Sequence, residues 1–199
     1  MSAHASHAGP ASPEQVVLLD DAGRAIGAAD KAGVHGPDTP LHLAFSCYVF
    51  DADQRLLLTR RALHKVTWPG VWTNSCCGHP APGEPFVEAV RRRTGQELGL
   101  VLEDLTLVLP EFRYRVQMAD GTVEHELCPV FVATTTDEVR PDPAEVADHR
   151  WVAWSEVRSG VLDDTLDVSP WCVLQVGQLP ETPYDAPAAD PSRLPPAAR

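Results

Sequence analysis

Gly78-His79-Pro80-Ala81-Pro82-Gly83-Glu84-Pro85-Phe86-Val87-Glu88-Ala89-Val90-Arg91-Arg92-Arg93-Thr94-Gly95-Gln96-Glu97-Leu98-Gly99-Leu100 reads as a loop, a helix and a second loop. Phe86, Val87, Val90 and Leu98 are its apolar positions and Gly99 closes it, which predicts a helix over Phe86 to Leu98. Gly95 inside that span weakens the helix by about 1 kcal/mol relative to Ala. What flanks the helix decides the architecture. Upstream, Val16 to Leu19 and Arg24 to Gly27 read as a small hairpin, and Leu41 to Phe50 and Arg55 to Arg60 as two strands joined at Asp51-Ala52-Asp53-Gln54. Downstream, Leu105 to Met118 and Thr122 to Thr134 flank the turn signal Ala119-Asp120-Gly121. His149 to Trp154 is a further strand, and Ser169-Pro170 opens a second helix. Strands outnumber helices, so the fold class is α/β or α+β: a sandwich of mixed β-sheet with flanking helices.

The chain has 199 residues, which suits roughly one domain. Residues 15–179 are expected to form it, between an N-terminal tail over 1–14 and a Pro/Ala-rich tail over 180–199 with too little apolar surface to order itself. Sixteen Lys and Arg against 28 Asp and Glu leave a net charge of −12, which argues against nucleic acid or an anionic membrane as the main partner. A small anionic ligand stays open, because a few placed cations or a metal reverse the field locally. No apolar run is long enough for a membrane span, and the start lacks the basic and apolar regions of a secretory signal. Five cysteines without C-x-x-C spacing fit neither a disulfide framework nor a zinc finger, so free thiols in a reducing cytoplasm are expected. Oligomeric state is not encoded in any pattern of the chain.

Three groups of residues carry candidate chemistry. In Thr73-Asn74-Ser75-Cys76-Cys77-Gly78-His79-Pro80, an extended chain sends Cys77 and His79 to the same side, and Gly78 permits close approach by a ligand or a second backbone. In Thr122 to Cys128, Glu124 and Glu126 share one strand face with His125 on the other, and two such carboxylates repel unless a cation or a shared proton separates them. His35 and His42 add two imidazoles. With His79, Glu124 and Glu126 they would make an N3O2 set, suited to a six-coordinate ion such as Mn²⁺ or Mg²⁺ more than to a closed zinc site. A buried thiol, core histidines and a solvated acidic strand end remain the alternative for each group alone.

The opening segment also keeps the frame Gly78-x5-Glu84-x7-Arg92, then Glu97-Leu98-Gly99-Leu100, of a loop–helix–loop motif for metal diphosphates. It departs from that frame at Arg93 and Gln96, where a hydrolase would concentrate carboxylates to hold Mg²⁺ and activate water. Such a helix is better equipped to bind a metal diphosphate than to cleave one. Lys31, Arg61, Lys65 and Arg93 are cations suited to diphosphate oxygens.

Leu41-His42-Leu43-Ala44-Phe45-Ser46, Thr59-Arg60-Arg61-Ala62-Leu63 and Trp68 through Pro80 closely resemble the type I isopentenyl-diphosphate isomerases. So do Phe112-Arg113-Tyr114-Arg115, Glu124 through Phe131 and Ser169-Pro170-Trp171, and the resemblance spans about Gln15 to Leu179. It implies a Nudix-like fold, matching the altered helix motif, and interconversion of isopentenyl and dimethylallyl diphosphate by proton addition and removal. By matching position it implies Cys77 as the base, Glu126 on the protonating side and Tyr114 assisting. It further implies a divalent ion, Mn²⁺ or another, at His35, His42, His79, Glu124 and Glu126. A second ion, Mg²⁺ on the substrate diphosphate, would meet Glu97 and the Cys77 carbonyl. Lys31, Arg61, Lys65 and Arg93 would grip the diphosphate, and Trp171 would be an aromatic lid over the developing cation. The alternatives are a Nudix-type hydrolase of a nucleoside diphosphate derivative, and a binding protein that kept the pocket without turnover.

Overall fold

A computed structural model of the chain describes residues 14–199, so the expected N-terminal tail falls, apart from Glu14, outside the described residues. The predicted hairpin is β1 (Gln15–Leu19) and β2 (Ala25–Asp30), followed by a single-turn helix α1 (Lys31–Val34). Each of the three longest expected strands is two strands, one in each of two sheets. Leu41 to Phe50 divides into β3 (His42–Leu43) and β4 (Phe45–Phe50) at Ala44. After β5 (Arg55–Arg61), β6 (Trp72–Thr73) and β7 (Cys76–Gly78), the span Leu105 to Met118 divides into β8 (Glu103–Leu109) and β9 (Arg113–Gln117). Thr122 to Thr134 divides into β10 (Val123–Leu127) and β11 (Val130–Thr134).

Two of the breaks carry Pro110 and Pro129, which cannot donate to a ladder. Across Pro110 the alternation changes phase, from Leu105, Leu107 and Leu109 to Phe112, Tyr114 and Val116, while Leu127 to Ala133 is apolar throughout and shows no period at all. The three breaks are neighbours in space. Ala44 N–H donates to the Leu127 carbonyl at 3.0 Å, Ser46 N–H to Pro129 at 3.1 Å and Cys128 N–H to Phe112 at 2.8 Å. A chain crossing there leaves a five-stranded sheet, ordered β2-β1-β3-β10-β9, and enters a seven-stranded one, ordered β12-β5-β4-β11-β8 with β6 beside β5 and β7 beside β4. Both sheets are mixed: β3 with β10 and β4 with β11 are parallel pairs among antiparallel ones.

The predicted helix is α2 (Phe86–Leu98), ended by Gly99 at φ 67°. Only glycine suits that cap, because a Cβ would come within 3.0 Å of Arg140 as well as being strained. β12 (Val146–Ala153) runs into a helix the sequence reading did not foresee, α3 (Trp154–Leu162), which buries Trp154, Val157 and Val161. α4 (Pro170–Val176) starts as expected, with the Ser169 side chain accepting from Cys172 N–H. β4 alternates between two cores. Phe45, Cys47 and Val49 pack with Ala89, Val90 and Leu98 of α2, whereas Tyr48 and Phe50 pack with Val157, Trp171 and Val176 of α3 and α4. The large sheet is therefore a central layer with helices on both faces. Residues 180–199, expected from composition to be disordered, lie against the domain through three short 3₁₀ turns. Leu194 is buried, Ala197 N–H reaches the Gly23 carbonyl at 3.0 Å and Ala189 N–H the Leu107 carbonyl at 2.8 Å.

Candidate active site

A cavity of about 390 Å³ opens beside the three breaks and takes its walls from both sheets. Cys77 enters from β7, paired with β4 so that Ser46 stands directly opposite. Its neighbour Cys76 points into the core on the other face, as strand alternation demands. The Cys77 sulfur lies 3.3 Å from Asn74 Oδ1 and 3.4 Å from Ser46 Oγ. Burial pushes the thiol up to about 12, against the opposite pull of the hydrogen bond with Ser46.

Across the cavity, β10 turns Glu124 and Glu126 inward and leaves His125 half-buried on the far side. The Tyr114 hydroxyl, on the strand paired with them, donates to Glu126 Oε2 at 2.8 Å and approaches Glu124 Oε2 at 3.1 Å. One hydroxyl hydrogen cannot fully serve two carboxylates. Burial and the charge of Glu126 raise Glu124, so it is the member of the pair that tends to carry a proton. Burial alone would also raise Glu126, but His42 and His79 beside it outweigh burial and hold Glu126 well below the usual carboxylate range.

His35, His42, His79 and Glu126 each bring one ligand atom to within 4.8 Å of the others. The Glu124 carboxylate, expected as a fifth ligand, lies outside this 4.8 Å group, on the same strand face as Glu126 and 3.1 Å from the Tyr114 hydroxyl. The donor chemistry fits a divalent cation. His42 Nδ1 sits 2.9 Å from the Pro40 carbonyl, which can only accept, so Nδ1 carries the hydrogen. Nε2 then faces Glu126 Oε1 at 3.4 Å, where against burial the carboxylate raises the His42 pKa, so the contact calls for a proton or a metal cation between the two. Buried Nε2 of both His35 and His42 lacks a hydrogen-bond partner. Burial holds His35 neutral, with a pKa lowered to about 4, as a ligand must be.

At the mouth, the four cations expected to grip an anion all line the cavity, and three of them face carboxylates. Lys31 meets Glu14 at 2.6 Å, Lys65 meets Glu145, and Arg93 meets Glu97, Glu14 at 3.3 Å and Glu145 at 3.4 Å. Glu97 is thus turned to Arg93, away from the histidine group, and burial raises its pKa. Arg61 is fixed by the Thr67 carbonyl at 2.9 Å and lies 5.6 Å from the centre of the Trp171 ring. Trp171, expected as a lid, is 2 % exposed and belongs to the wall, stacked on Tyr114 with ring centres 6.0 Å apart. Glu14, Glu145 and Thr67 border the cavity without having been foreseen, since none sits in a distinctive spacing. Asn74 and Ser46 stand inside runs already quoted, yet uncharged residues there carry no signal of their own.

Residues 40–173 match the NUDIX domain. An isopentenyl-diphosphate Delta-isomerase of Saccharopolyspora erythraea is 61% identical over 188 residues, covering 93% of this chain and 97% of its own. The protein of the same name from Rhizobium rhizogenes is 52% identical over 192 residues, covering 94% and 92%. Among solved structures, a protein of Deinococcus radiodurans superposes with a TM-score of 0.64 at 15% identity, over 83% of this chain and 98% of that one. A MutT NUDIX hydrolase of Burkholderia pseudomallei gives 0.54 at 24% identity, over 70% and 98%. At those identities the likeness speaks for the fold alone.

Proposed function

The chain belongs to the isopentenyl-diphosphate Delta-isomerases and carries a NUDIX domain, and from that premise we propose how its residues move the double bond between isopentenyl and dimethylallyl diphosphate. The observation that carries the proposal is that Cys77 and Glu126, distant in sequence and on different sheets, line one cavity. An unactivated alkene is a weak base, so the reaction needs an acid at one end, a base at the other and little water between. Glu126 lies on the side that delivers a proton to the terminal carbon; with Glu126 ionised, that proton is the Tyr114 hydroxyl's, replaced from the protonated Glu124. The π electrons form the new C–H bond and leave a tertiary cation. Cys77, as thiolate, removes a proton from the neighbouring carbon, and that C–H pair becomes the new double bond. In the reverse direction the roles exchange. The aromatic wall of Trp171 and Tyr114 offers π faces to the cation and no nucleophile to trap it.

His35, His42, His79 and Glu126 are the residues that would hold a divalent ion, Mn²⁺ or a similar one. When bound, such an ion supplies positive charge that orients Glu126 and favours the thiolate of Cys77. Lys31, Arg61, Lys65 and Arg93 would bind the diphosphate, and Glu97 with the Cys77 carbonyl would hold its Mg²⁺, which would neutralise part of the diphosphate charge. A diphosphate replaces the carboxylate partners of Lys31, Lys65 and Arg93, and drawing Arg93 toward it frees Glu97. The substrate is a small anion handled in the cytoplasm. Proton NMR of isopentenyl diphosphate with the protein and Mg²⁺ in D₂O tests the reading. Deuterated dimethylallyl diphosphate is expected from the parent and none from Cys77→Ala. Release of inorganic phosphate or a monophosphate would favour hydrolysis instead, and near-full turnover by Cys77→Ala would remove Cys77 as the base.

A further inference from the structure

Behind Cys77 the wall is polar, although it is as buried as the core: Ser46, Tyr48, Asn74 and Gln175 are each 0 % exposed. Apolar residues of equal volume would avoid the desolvation that such a cluster costs. Around Asn74 the hydrogen bonds have a fixed sense. The Trp171 indole N–H can only donate, and it reaches Asn74 Oδ1 at 3.2 Å. Asn74 Nδ2 faces the Cys47 and Cys76 carbonyls at 3.2 and 3.1 Å, which can only accept. The amide orientation is therefore set, and the contact between Cys77 and Asn74 Oδ1 at 3.3 Å uses the thiol hydrogen.

On the other side of the sulfur, the Tyr48 hydroxyl donates to Gln175 Oε1 at 2.9 Å, and Gln175 Nε2 donates to Ser46 Oγ at 2.9 Å. Ser46 then has one hydrogen and two sulfurs in reach, Cys77 and Cys128, both at 3.4 Å. Either partner can donate across the contact between Ser46 Oγ and the Cys128 sulfur; with the Cys128 S–H donating, Ser46 Oγ keeps its own hydrogen for the Cys77 sulfur.

We propose that Ser46 and Asn74, locked from behind by Gln175, Tyr48 and Trp171, are positioning residues that hold the Cys77 sulfur in one orientation, Asn74 accepting from the thiol before its proton leaves and Ser46 donating to the sulfur before and after. Neither touches the reacting carbons, and the proposal rests on Cys77 as the base. The network also ties α4 to β4 and β7, so a purely structural role would show as lost stability alone.

The test uses the full chain with Mg²⁺ and isopentenyl diphosphate. Ser46→Ala is expected to lower kcat by about tenfold or more while KM stays within about twofold. Ser46→Thr, which keeps the hydroxyl, is expected to hold kcat within about threefold of the parent. Where the added methyl prevents folding, Tyr48→Phe replaces it: it frees Gln175 and is expected to lower kcat about threefold at unchanged KM. In protein labelled with cysteine at ¹³Cβ, the Cys77 resonance, assigned through Cys77→Ala, is expected to move in Ser46→Ala while that of Cys47 stays. Ser46→Ala with the parent's kcat, or with the Cys77 resonance unmoved, overturns the proposal. A parent chain that leaves isopentenyl diphosphate unchanged refutes the catalytic reading instead, and the resonance still decides whether Ser46 positions the sulfur.

Discussion

Gly78 sits between Cys77 and His79 with no room for a side chain. A Cβ there would meet Phe45 at 2.9 Å and the Arg93 side chain at 3.0 Å. The sequence reading expected a ligand or a second backbone at this glycine; two side chains approach it instead, one from the core and one from the cavity mouth. Gly78→Ala is predicted to cost about 1–3 kcal/mol, seen in denaturant melts, and to raise KM for the diphosphate by displacing Arg93. His42 offers a second test at this scale. It is fully buried, and its Nδ1 is committed to Pro40, so Nε2 is available only to Glu126 or a cation. His42→Ala is predicted to reduce the divalent metal retained after dialysis by about tenfold or more, measured by elemental analysis. Unchanged metal content would mean that the ion, if any, sits elsewhere.

The loop before α2 is fastened onto the helix by one ion pair. Glu84 receives Arg92 Nε and Nη2, both at 2.7 Å, and accepts from Ala81 N–H at 2.8 Å. Arg92 also reaches the His79 carbonyl at 3.3 Å, which ties the helix to a metal-site residue. The Arg92 hydrogen bond, ahead of the opposing effect of burial, holds Glu84 below the usual carboxylate range. A carboxylate depressed in the folded state stabilises the fold fully above its unfolded pKa and loses that contribution as pH falls through the folded value. The stability gap between the parent and Arg92→Met is therefore predicted to be constant above about pH 5 and to shrink on acidification below it, in urea titrations at a series of pH values. A gap that widens in acid would contradict the assignment.

On the scale of the whole molecule, the last residues close an apolar flank. Leu194 packs beneath them, Pro195 lies where a side chain at Gly23 would be, and Ala197 and Ala198 touch the core between β1, β8 and α2. Removing residues 187–199 is predicted to cost about 1–2 kcal/mol net of the ordering entropy, a loss of a few degrees in Tm by calorimetry, because the buried leucine is the main gain. An unchanged Tm would mean that this segment contributes nothing. Among the described residues, no helix is long and apolar enough to cross a membrane.

Local chemistry settled much of this protein before any folding. The helix over Phe86 to Leu98, its glycine stop and the Ser169 cap depend on near neighbours, and all three are in place. The pairing of Glu124 with Glu126 on one strand face follows from a period of two, which is again local. Tertiary structure decided what no window along the chain contains. Three strands change sheet where prolines and cross-strand hydrogen bonds break the ladders, and the cavity opens beside those crossings. It decided that one tyrosine hydroxyl reaches both Glu124 and Glu126, and that Ala- and Pro-rich residues at the end find an apolar flank to cover. It also drew Ser46 and Gln175, 129 positions apart, together behind one sulfur. Uncharged polar residues acquire a role only from the partners that burial forces on them, and those partners come from remote parts of the chain.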